Sequence, residues 1–281
     1  MISVVDALGR TVELARAPRR IVSLVPSETS SVAWLGGLDR LVGRTRYCVE
    51  PEGVFAVPEV GGTKDTDVEV VRALEPDLVL TNQEENARHG VEAMIAAGLP
   101  VHVSFPRTVG QSTEYLRTLA TLMDVPVDVS PIEAAIGRCS PDAPVRVFVP
   151  IWRDPWMTFD GGAFASDLLD LVGAVNVFAD RPRRYPLAAD LGKRAPLTGE
   201  RVKDRDTRYP RITLDEVVAR GPELVLLPDE PYEFGDADAD ALRSAGVGAT
   251  IVPVNGRDLF WYGARTTKGV DALRELVDAH R

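Results

Sequence analysis

The sequence is poor in the residues that bind metals or form covalent cross-links. Its 281 residues include two cysteines, Cys48 and Cys139, and three histidines. Two cysteines cannot build a disulfide framework, and no cysteine or histidine spacing matches a structural zinc site. A lone cysteine is most often a small buried apolar side chain, as we expect for Cys48. The sequence therefore predicts no metal site and no cofactor of its own.

Long apolar runs are also missing. No stretch reaches the roughly 20 apolar residues that a membrane-spanning helix needs. The segment from Met1 to Arg10 has no basic start, no apolar run and no lipidation cysteine. Two locations stay open: the outer face of the cytoplasmic membrane if a leader was removed, and the cytoplasm if Met1 is the native start.

Positive charge is in deficit, and lysine is rare. The 32 basic residues include only four lysines and are outnumbered by 42 acidic residues, which gives a net charge of −10. This balance argues against nucleic acid as a partner. Signatures of the GxSxG, HExxH, P-loop and GxGxxG types are absent as well, so the sequence predicts no enzyme.

What the chain does contain is an internal repeat. Shifted by 146 residues, 67–84 aligns with 213–230. The identical pairs are Val71/Val217, Ala73/Ala219, Pro76/Pro222, Leu78/Leu224, Val79/Val225, Leu80/Leu226 and Glu84/Glu230. Each copy has the pattern of a short helix ended before a proline and followed by a buried strand. At a shift of 148, a glycine-ended helix and a second strand follow in both copies.

Alternating helices and strands predict an α/β fold with two Rossmann-like lobes, each a parallel sheet flanked by helices. We place an N-terminal lobe at 1–125, a helical linker at 126–144 and a C-terminal lobe at 145–281. The C-terminal lobe carries an insertion, 181–211, with ten basic against four acidic side chains. We interpret this insertion either as a solvated loop or as an electropositive flap over an anionic ligand.

Three segments carry a resemblance to a known family. They are Arg20–Thr29 (RIVSLVPSET), Val60–Thr63 (VGGT) and Ala73–Leu80 (ALEPDLVL). In this order they resemble the ABC-importer substrate-binding proteins for vitamin B12, ferric siderophores and haem, also called helical-backbone metal receptors. The resemblance runs from about Asp6 to Leu276. It implies two lobes joined by a single helical linker, a ligand cleft between them, and a monomer that serves an ABC permease.

Ligands of parallel α/β lobes bind where the strands end at their carboxyl side. In the first lobe this rule selects Pro26, Ser27, Glu28, Arg46, Tyr47, Asn82 and Glu84. In the second lobe it selects Trp152, Arg153, Trp156, Glu230, Tyr232, Arg257, Phe260, Trp261 and Arg265. Several aromatic residues at strand ends suit a large flat ligand, although packing within the lobe is the alternative use for each of them.

The resemblance adds three assignments. Tyr47 and Tyr209 match aromatic ligand contacts of the vitamin B12 receptors in the family, and Asn82 replaces a third. Glu69 and Asp215 occupy equivalent places in the two repeats, where the family has acidic residues that meet arginines of the permease. Stabilisation of a helix N-terminus is the alternative role for both.

The function predicted is a non-catalytic substrate-binding protein for a metal chelate: a corrinoid, a ferric siderophore or haem. Its expected partners are that chelate and an ABC permease. A cytoplasmic ligand carrier or sensor, and an enzyme recruited from this binding fold, remain as alternatives.

Overall fold

The computed structural model describes residues 1–137, 143–203 and 205–281, and it divides into two compact units. The first unit comprises Met1–Pro106, Gly110–Ala134 and Trp261–Thr267. The second comprises Arg107–Val109, Ala135–Phe260 and Lys268–Arg281. Cys139 and part of the proposed linker 126–144 lie outside the described residues, so the linker stays a prediction.

Ten strands and eleven α-helices are described. The strands are β1 (Ile2–Val5), β2 (Thr11–Leu14), β3 (Ile21–Ser23), β4 (Leu41–Arg44), β5 (Leu78–Asn82), β6 (Val101–Ser104), β7 (Val145–Phe148), β8 (Ala174–Asn176), β9 (Leu224–Pro228) and β10 (Thr250–Val254). The helices are α1 (Pro26–Trp34), α2 (Val68–Ala73), α3 (Arg88–Ala96), α4 (Val109–Met123), α5 (Ser130–Ile136), α6 (Phe164–Leu171), α7 (Leu187–Asp190), α8 (Leu214–Arg220), α9 (Asp236–Ser244), α10 (Gly256–Phe260) and α11 (Thr266–Asp278).

The first unit is built on a parallel sheet of order β4-β3-β5-β6. Valines and leucines of this sheet, such as Val22 and Val79, pack against Val71 of α2 and Met94 of α3 in a buried core. An antiparallel hairpin, β1-β2, which the sequence patterns did not predict, is tied to the sheet by a hydrogen bond from the Ala7 amide to the Val103 carbonyl (2.8 Å).

The second unit has the same topology, with a parallel sheet of order β10-β9-β7-β8. Read in chain order, both sheets follow the sequence second, first, third and fourth strand. The core is built around Phe148 and Phe178, whose ring centroids lie 5.4 Å apart, with Val217 and Leu242 from α8 and α9. The predicted fold class is therefore confirmed.

The repeat in the sequence coincides with the repeat in the structure. Helix α2 and strand β5 become α8 and β9 when 146 is added to their residue numbers, and α3 becomes α9 when 148 is added. Both α2 and α8 begin after a side-chain cap: Asp67 accepts from the Glu69 amide (3.0 Å), and Thr213 accepts from the Glu216 amide (3.2 Å). The pattern predicted where α2, α8, β5 and β9 begin, and it predicted their ends to within one residue.

One boundary differs from the sequence interpretation. Residues 261–267 belong to the first unit, although the sequence placed them in a C-terminal lobe that runs from 145 to 281. The reason is local bonding: the amide of Gly263 donates to Ser112 (2.7 Å), and the amide of Ala264 donates to Ser31 (3.1 Å). Neither bond has a signal in the sequence pattern.

Candidate functional site

The segment after β3 enters helix α1 at Pro26. Proline suits the first position of a helix because its missing N–H would have no partner there. Ser27 and Glu28 follow in the first turn, and both are buried. The structure therefore places these three predicted ligand contacts inside the first unit, and their contact with a ligand stays a prediction.

Glu28 lies in a buried hydrogen-bonded group at the carboxyl edge of the first sheet, which we call the Glu28 network. Tyr262 donates to Glu28 Oε1 (2.7 Å), and Ser104 donates to the same oxygen. Asn82 Nδ2 donates to Ser104 Oγ (3.0 Å) and to the Tyr262 hydroxyl (3.1 Å). The ring of Tyr115 packs edge-on against Tyr262, with centroids 5.3 Å apart.

Burial dominates the electrostatics of this network. It raises the pKa of Glu28 to about 8, even though the hydrogen bonds from Ser104 and Tyr262 favour the ionised form. Burial and the neighbouring Glu28 also raise the pKa values of Tyr115 and Tyr262 above the usual phenol range. Glu28 is consequently a neutral carboxylic acid at pH 7.

The strand end after β4 offers exposed groups instead. Tyr47 is 53% exposed, and the Arg46 guanidinium lies 5.7 Å from the centroid of its ring. Arg46 also pairs with Asp65 (3.0 Å), which raises the pKa of Arg46 and lowers that of Asp65. A Cβ on Gly62 would lie 2.2 Å from the Asp65 carboxylate, so a larger residue at position 62 would displace this pair. Tyr47 is thus accessible at this strand end, and ligand contact by Arg46 and Tyr47 stays a prediction.

Asn82 and Glu84 shape the loop after β5. The Asn82 side-chain oxygen accepts from the amides of Glu84 (2.8 Å) and Glu85 (3.1 Å), as in an Asx turn. The ammonium of Lys64 donates to the Glu84 carbonyl (2.6 Å). Asn82 itself is buried and Glu84 is half-buried, so Asn82 acts here as a scaffold for the loop.

The second unit brings four aromatic rings together, and we call them the aromatic wall: Trp152, Tyr232, Phe234 and Trp156. The ring of Trp152 meets Tyr232 edge-on at 5.5 Å, and Tyr232 lies 4.7 Å from Phe234. Trp156 stacks on Phe234 at 5.8 Å with an interplanar angle of 14°. Trp156 and Tyr232 also pack on the core, whereas Trp152 is 46% exposed. Trp156 and Tyr232 therefore serve packing in part, whereas Trp152 is accessible; ligand contact by these rings stays a prediction.

Charged side chains border this wall. The Arg153 guanidinium lies 5.5 Å from the ring of Trp156 and pairs with the buried Asp238. Arg257 lies 3.6 Å from Glu230, and both are partly exposed.

Two predicted aromatic contacts of the second unit lie apart from the wall's stacked rings. Phe260 meets the buried Phe159 edge-on at 6.2 Å, so part of its surface serves packing. Tyr209 lies under the Arg208 guanidinium at 5.3 Å.

Trp261 and Arg265 lie in the first unit, not in the second lobe to which the sequence assigned them. Both are buried, and Arg265 forms an ion pair with Glu50 (2.8 Å). Arg265 is therefore already engaged by an acidic side chain of its own unit.

Glu69 and Asp215 are exposed at the second position of α2 and α8. Glu69 pairs with Arg72 one turn later (3.1 Å). Their equivalent placement in the two units agrees with the sequence repeat. Their role in docking stays a prediction.

Cys48 is buried, and its sulfur accepts a hydrogen bond from Thr29 (3.0 Å). Burial raises the pKa of this thiol, which keeps it protonated and unreactive. Among the described residues, no group of three or more His, Cys, Asp or Glu side chains is arranged to hold a metal ion. Within the same residues, no helix is long and apolar enough to cross a membrane.

The sequence analysis missed Ser104, Tyr115 and Phe234 as members of these groups. Ser104 ends β6, so the strand-end rule could have found it. Phe234 lies two residues beyond Tyr232 in the same loop. Tyr115 lies within α4, and no local signal connects it with Glu28.

Comparisons with known proteins agree with this architecture. A family model described as "Periplasmic binding protein" matches residues 21–210. The vitamin B12-binding protein of Yersinia pestis is 24% identical over 271 residues, which cover 93% of this chain and 86% of that protein. The solved periplasmic vitamin B12 binding protein of Vibrio cholerae superposes with a TM-score of 0.70 at 18% identity, covering 94% of this chain and 98% of that one. The apo periplasmic heme-binding protein from Roseiflexus sp. RS-1 also gives 0.70, at 19% identity, covering 94% and 99%.

Proposed function

Since this chain belongs to the periplasmic binding protein family, we propose that it binds a metal chelate and delivers it to an ABC permease at the outer face of the cytoplasmic membrane. The chelate is a corrinoid, a ferric siderophore or haem. The observation that carries the proposal is the near full-length similarity to proteins named for binding vitamin B12 and heme. These relatives are named as binding proteins, which favours binding over catalysis.

The aromatic wall supports a large, flat ligand. An exposed indole such as that of Trp152, braced edge-on by Tyr232, offers a rigid apolar face with little loss of side-chain freedom on binding. Across the same unit, the guanidinia of Arg153 and Arg257 supply hydrogen-bond donors for the polar rim of such a ligand. The metal arrives as part of the ligand, so recognition falls on the organic shell around it.

The proposal is tested by the visible absorption of the purified protein and by titration with cobalamin, haemin and a ferric hydroxamate siderophore. We expect one of these classes to bind at micromolar concentration or tighter. Absence of binding by all three classes would reject the proposal.

The contribution of the aromatic wall is tested with Trp152→Ala. We expect the variant to bind the chelate about fivefold more weakly, because loss of an aromatic contact costs roughly 1 kcal/mol. Trp34→Ala is the matched control, since Trp34 is 53% exposed in the first unit and belongs to none of the strand ends. Equal affinity in Trp152→Ala and the parent would exclude the wall from the binding site.

A further inference from the structure

The basic insertion of the second unit is an ordered element organised by one buried acid. Asp190 is 2% exposed and accepts hydrogen bonds from Arg181 Nη1 (2.9 Å), the Arg184 amide (2.8 Å) and the Arg211 amide (2.7 Å). Arg181 is also buried and forms a second ion pair with Glu216 (2.8 Å). The two ends of the insertion are therefore held together at their base, which differs from a freely solvated loop.

Above this base, two guanidinium groups face one aromatic ring. The Cζ atoms of Arg183 and Arg205 lie 4.4 and 4.8 Å from the ring centroid of Tyr185. The Tyr185 hydroxyl donates to the Asp206 carbonyl (2.7 Å), and the Arg183 amide donates to the Thr207 carbonyl (2.6 Å). The Tyr185 ring and the backbone of Arg183 are thus held by the backbone of the opposite arm of the insertion, which carries Arg205.

A third guanidinium, that of Arg211, interacts electrostatically with Arg183 and Tyr185. Its Nη1 atom is buried and has no hydrogen-bond partner among the described residues. Burial and the nearby charge of Arg183 lower the pKa of Arg211, against the opposing effect of Asp190. We call Tyr185, Arg183, Arg205 and Arg211 the Tyr185 cluster.

The described acidic side chains nearest the Tyr185 cluster, Asp206 and Asp190, attract Arg183 and Arg211 electrostatically but form their ion pairs with other arginines. Asp206 pairs with Arg208 (2.7 Å), and Asp190 is occupied by its three donors. Within the described part of the chain, no carboxylate lies within ion-pair distance of the guanidinia of Arg183, Arg205 or Arg211. Like charges at one ring and a buried donor without an acceptor are both unfavourable unless an anion is present.

We propose that the Tyr185 cluster binds an oxyanion, either a carboxylate or a phosphate group. Planar guanidinia bind such groups through two parallel hydrogen bonds, and Arg211 Nη1 supplies a donor that is desolvated in advance. The site adjoins the aromatic wall, because the Ile212 amide donates to the Trp156 carbonyl (2.9 Å) and the Thr158 amide donates to the Pro210 carbonyl (3.1 Å). The oxyanion is either a free ion or a substituent of the ligand proposed above.

The first experiment uses inorganic phosphate as the probe, titrated into the full chain by calorimetry at constant ionic strength. We expect binding by the parent protein and at least a tenfold loss of affinity in Arg183→Gln/Arg211→Gln and in the single variant Arg205→Gln. Arg205 is exposed, so its substitution leaves the base of the insertion intact. The matched control is Arg194→Gln, an exposed cation of the same insertion outside the cluster. Affinity in the cluster variants equal to that of the parent, or an equal loss in the control, would overturn the site.

The second experiment separates the two sources of the oxyanion. Haem, with two carboxylates, is compared with its neutral dimethyl ester in the parent and in Arg205→Gln. A preference for haem of about tenfold in the parent that is lost in the variant assigns the oxyanion to the ligand. No preference, with phosphate binding intact, assigns the site to a free anion. If neither haem nor its ester binds while phosphate does, haem is excluded as the chelate and the anion site stands.

Discussion

Glu28 carries a proton at neutral pH because burial of its carboxyl in the first unit outweighs the hydrogen bonds from Ser104 and Tyr262, which favour the ionised form. Tyr262 lies 234 positions along the chain from Glu28, and Ser104 lies 76 positions away. The polar stretch Pro26–Thr29 has the composition of an exposed helix start, and the strand-end rule selects it as a ligand contact. Its burial depends on residues brought in by tertiary folding, so the sequence could locate the segment and not its environment.

The raised pKa predicts that stability falls as pH rises. In the unfolded chain Glu28 loses its proton near its ordinary pKa of 4.5, whereas in the folded chain it does so at about 8. Between these values only the folded state holds the proton, so stability is fully present below about 4.5 and is lost as pH rises to about 8. Glu28→Gln keeps an oxygen that accepts from Tyr262 and Ser104 and removes the titration. We expect it to be more stable than the parent by on the order of 4 kcal/mol at pH 8 and to match it near pH 4.5.

Urea unfolding of both proteins between pH 4.5 and 9 measures this effect. Glu13→Gln is the control, since Glu13 is an exposed carboxylate on β2 of the same unit. Parallel curves of stability against pH for the parent and Glu28→Gln would contradict the raised pKa of Glu28 in the folded protein.

At the scale of elements, each helix–strand step of the repeat is held by an arginine at the start of the sheet's first strand in that unit. Arg20 Nε donates to the Leu74 carbonyl (3.0 Å), and Arg146 Nε donates to the Gly221 carbonyl (3.1 Å). The amide of Arg20 donates to Asp77 (2.8 Å) as the amide of Arg146 does to Glu223 (2.9 Å). This is why the charge of Asp77 and Glu223 is kept across the repeat.

The ends of α2 and α8 were predictable from sequence because Pro76 and Pro222 exclude the α conformation from the residue before them. The hairpin β1-β2 was not, because its four-residue strands are too short for their alternation to stand out. Its position depends on the Ala7–Val103 hydrogen bond, which no local pattern records.

The repeat also predicts a stabilising substitution. Glu75 and Gly221 are equivalent, and both have a left-handed backbone, with φ of 45° and 55°. A side chain at such a position costs roughly 1 kcal/mol, which glycine avoids. We expect Glu75→Gly to raise the free energy of unfolding by about 0.5–1 kcal/mol, measured by the denaturant midpoint.

Gly221→Ala is the reciprocal test. A Cβ there meets no atom within 4 Å, so its expected destabilisation of similar size reports backbone strain alone. A destabilised Glu75→Gly variant would show that the side chain has a role beyond its backbone conformation.

At the scale of the whole molecule, the net charge of −10 is an average of unlike regions. The described units carry acidic groups at helix starts and surface pairs, while the insertion 181–211 holds ten basic side chains against four acidic ones. Composition argues against nucleic acid binding only through the net charge of the whole chain, and it does not show where positive charge is concentrated. The position of the positive charge required the structure, since Asp190 pairs with Arg181, and among the described residues no carboxylate forms an ion pair with the guanidinia of the Tyr185 cluster.

Charge reversal at both repeat positions tests delivery. We expect Glu69→Arg/Asp215→Arg to bind the chelate with unchanged affinity and to support slower uptake into vesicles that contain the cognate permease. An exposed ion pair contributes only about 0.2–1 kcal/mol, so the double variant is needed. Glu92→Arg is the control, an exposed acid of α3 that pairs with Arg88 as Glu69 pairs with Arg72. Normal uptake by the double variant would remove both residues from docking.

The hydrogen bonds of Arg20 and Arg146 constrain the sequence at the amino end of each sheet and not at the carboxyl ends of the strands. They hold each helix–strand step by contacts at the amino end of the sheet. The carboxyl ends of the strands take no part in these shared contacts. Asn82 and Pro228 occupy equivalent strand ends, and one can donate a side-chain hydrogen bond while the other cannot. A chain repeated in this manner can acquire a new ligand specificity in one unit through substitutions and insertions at strand ends, while the contacts that hold the fold of each unit stay unchanged.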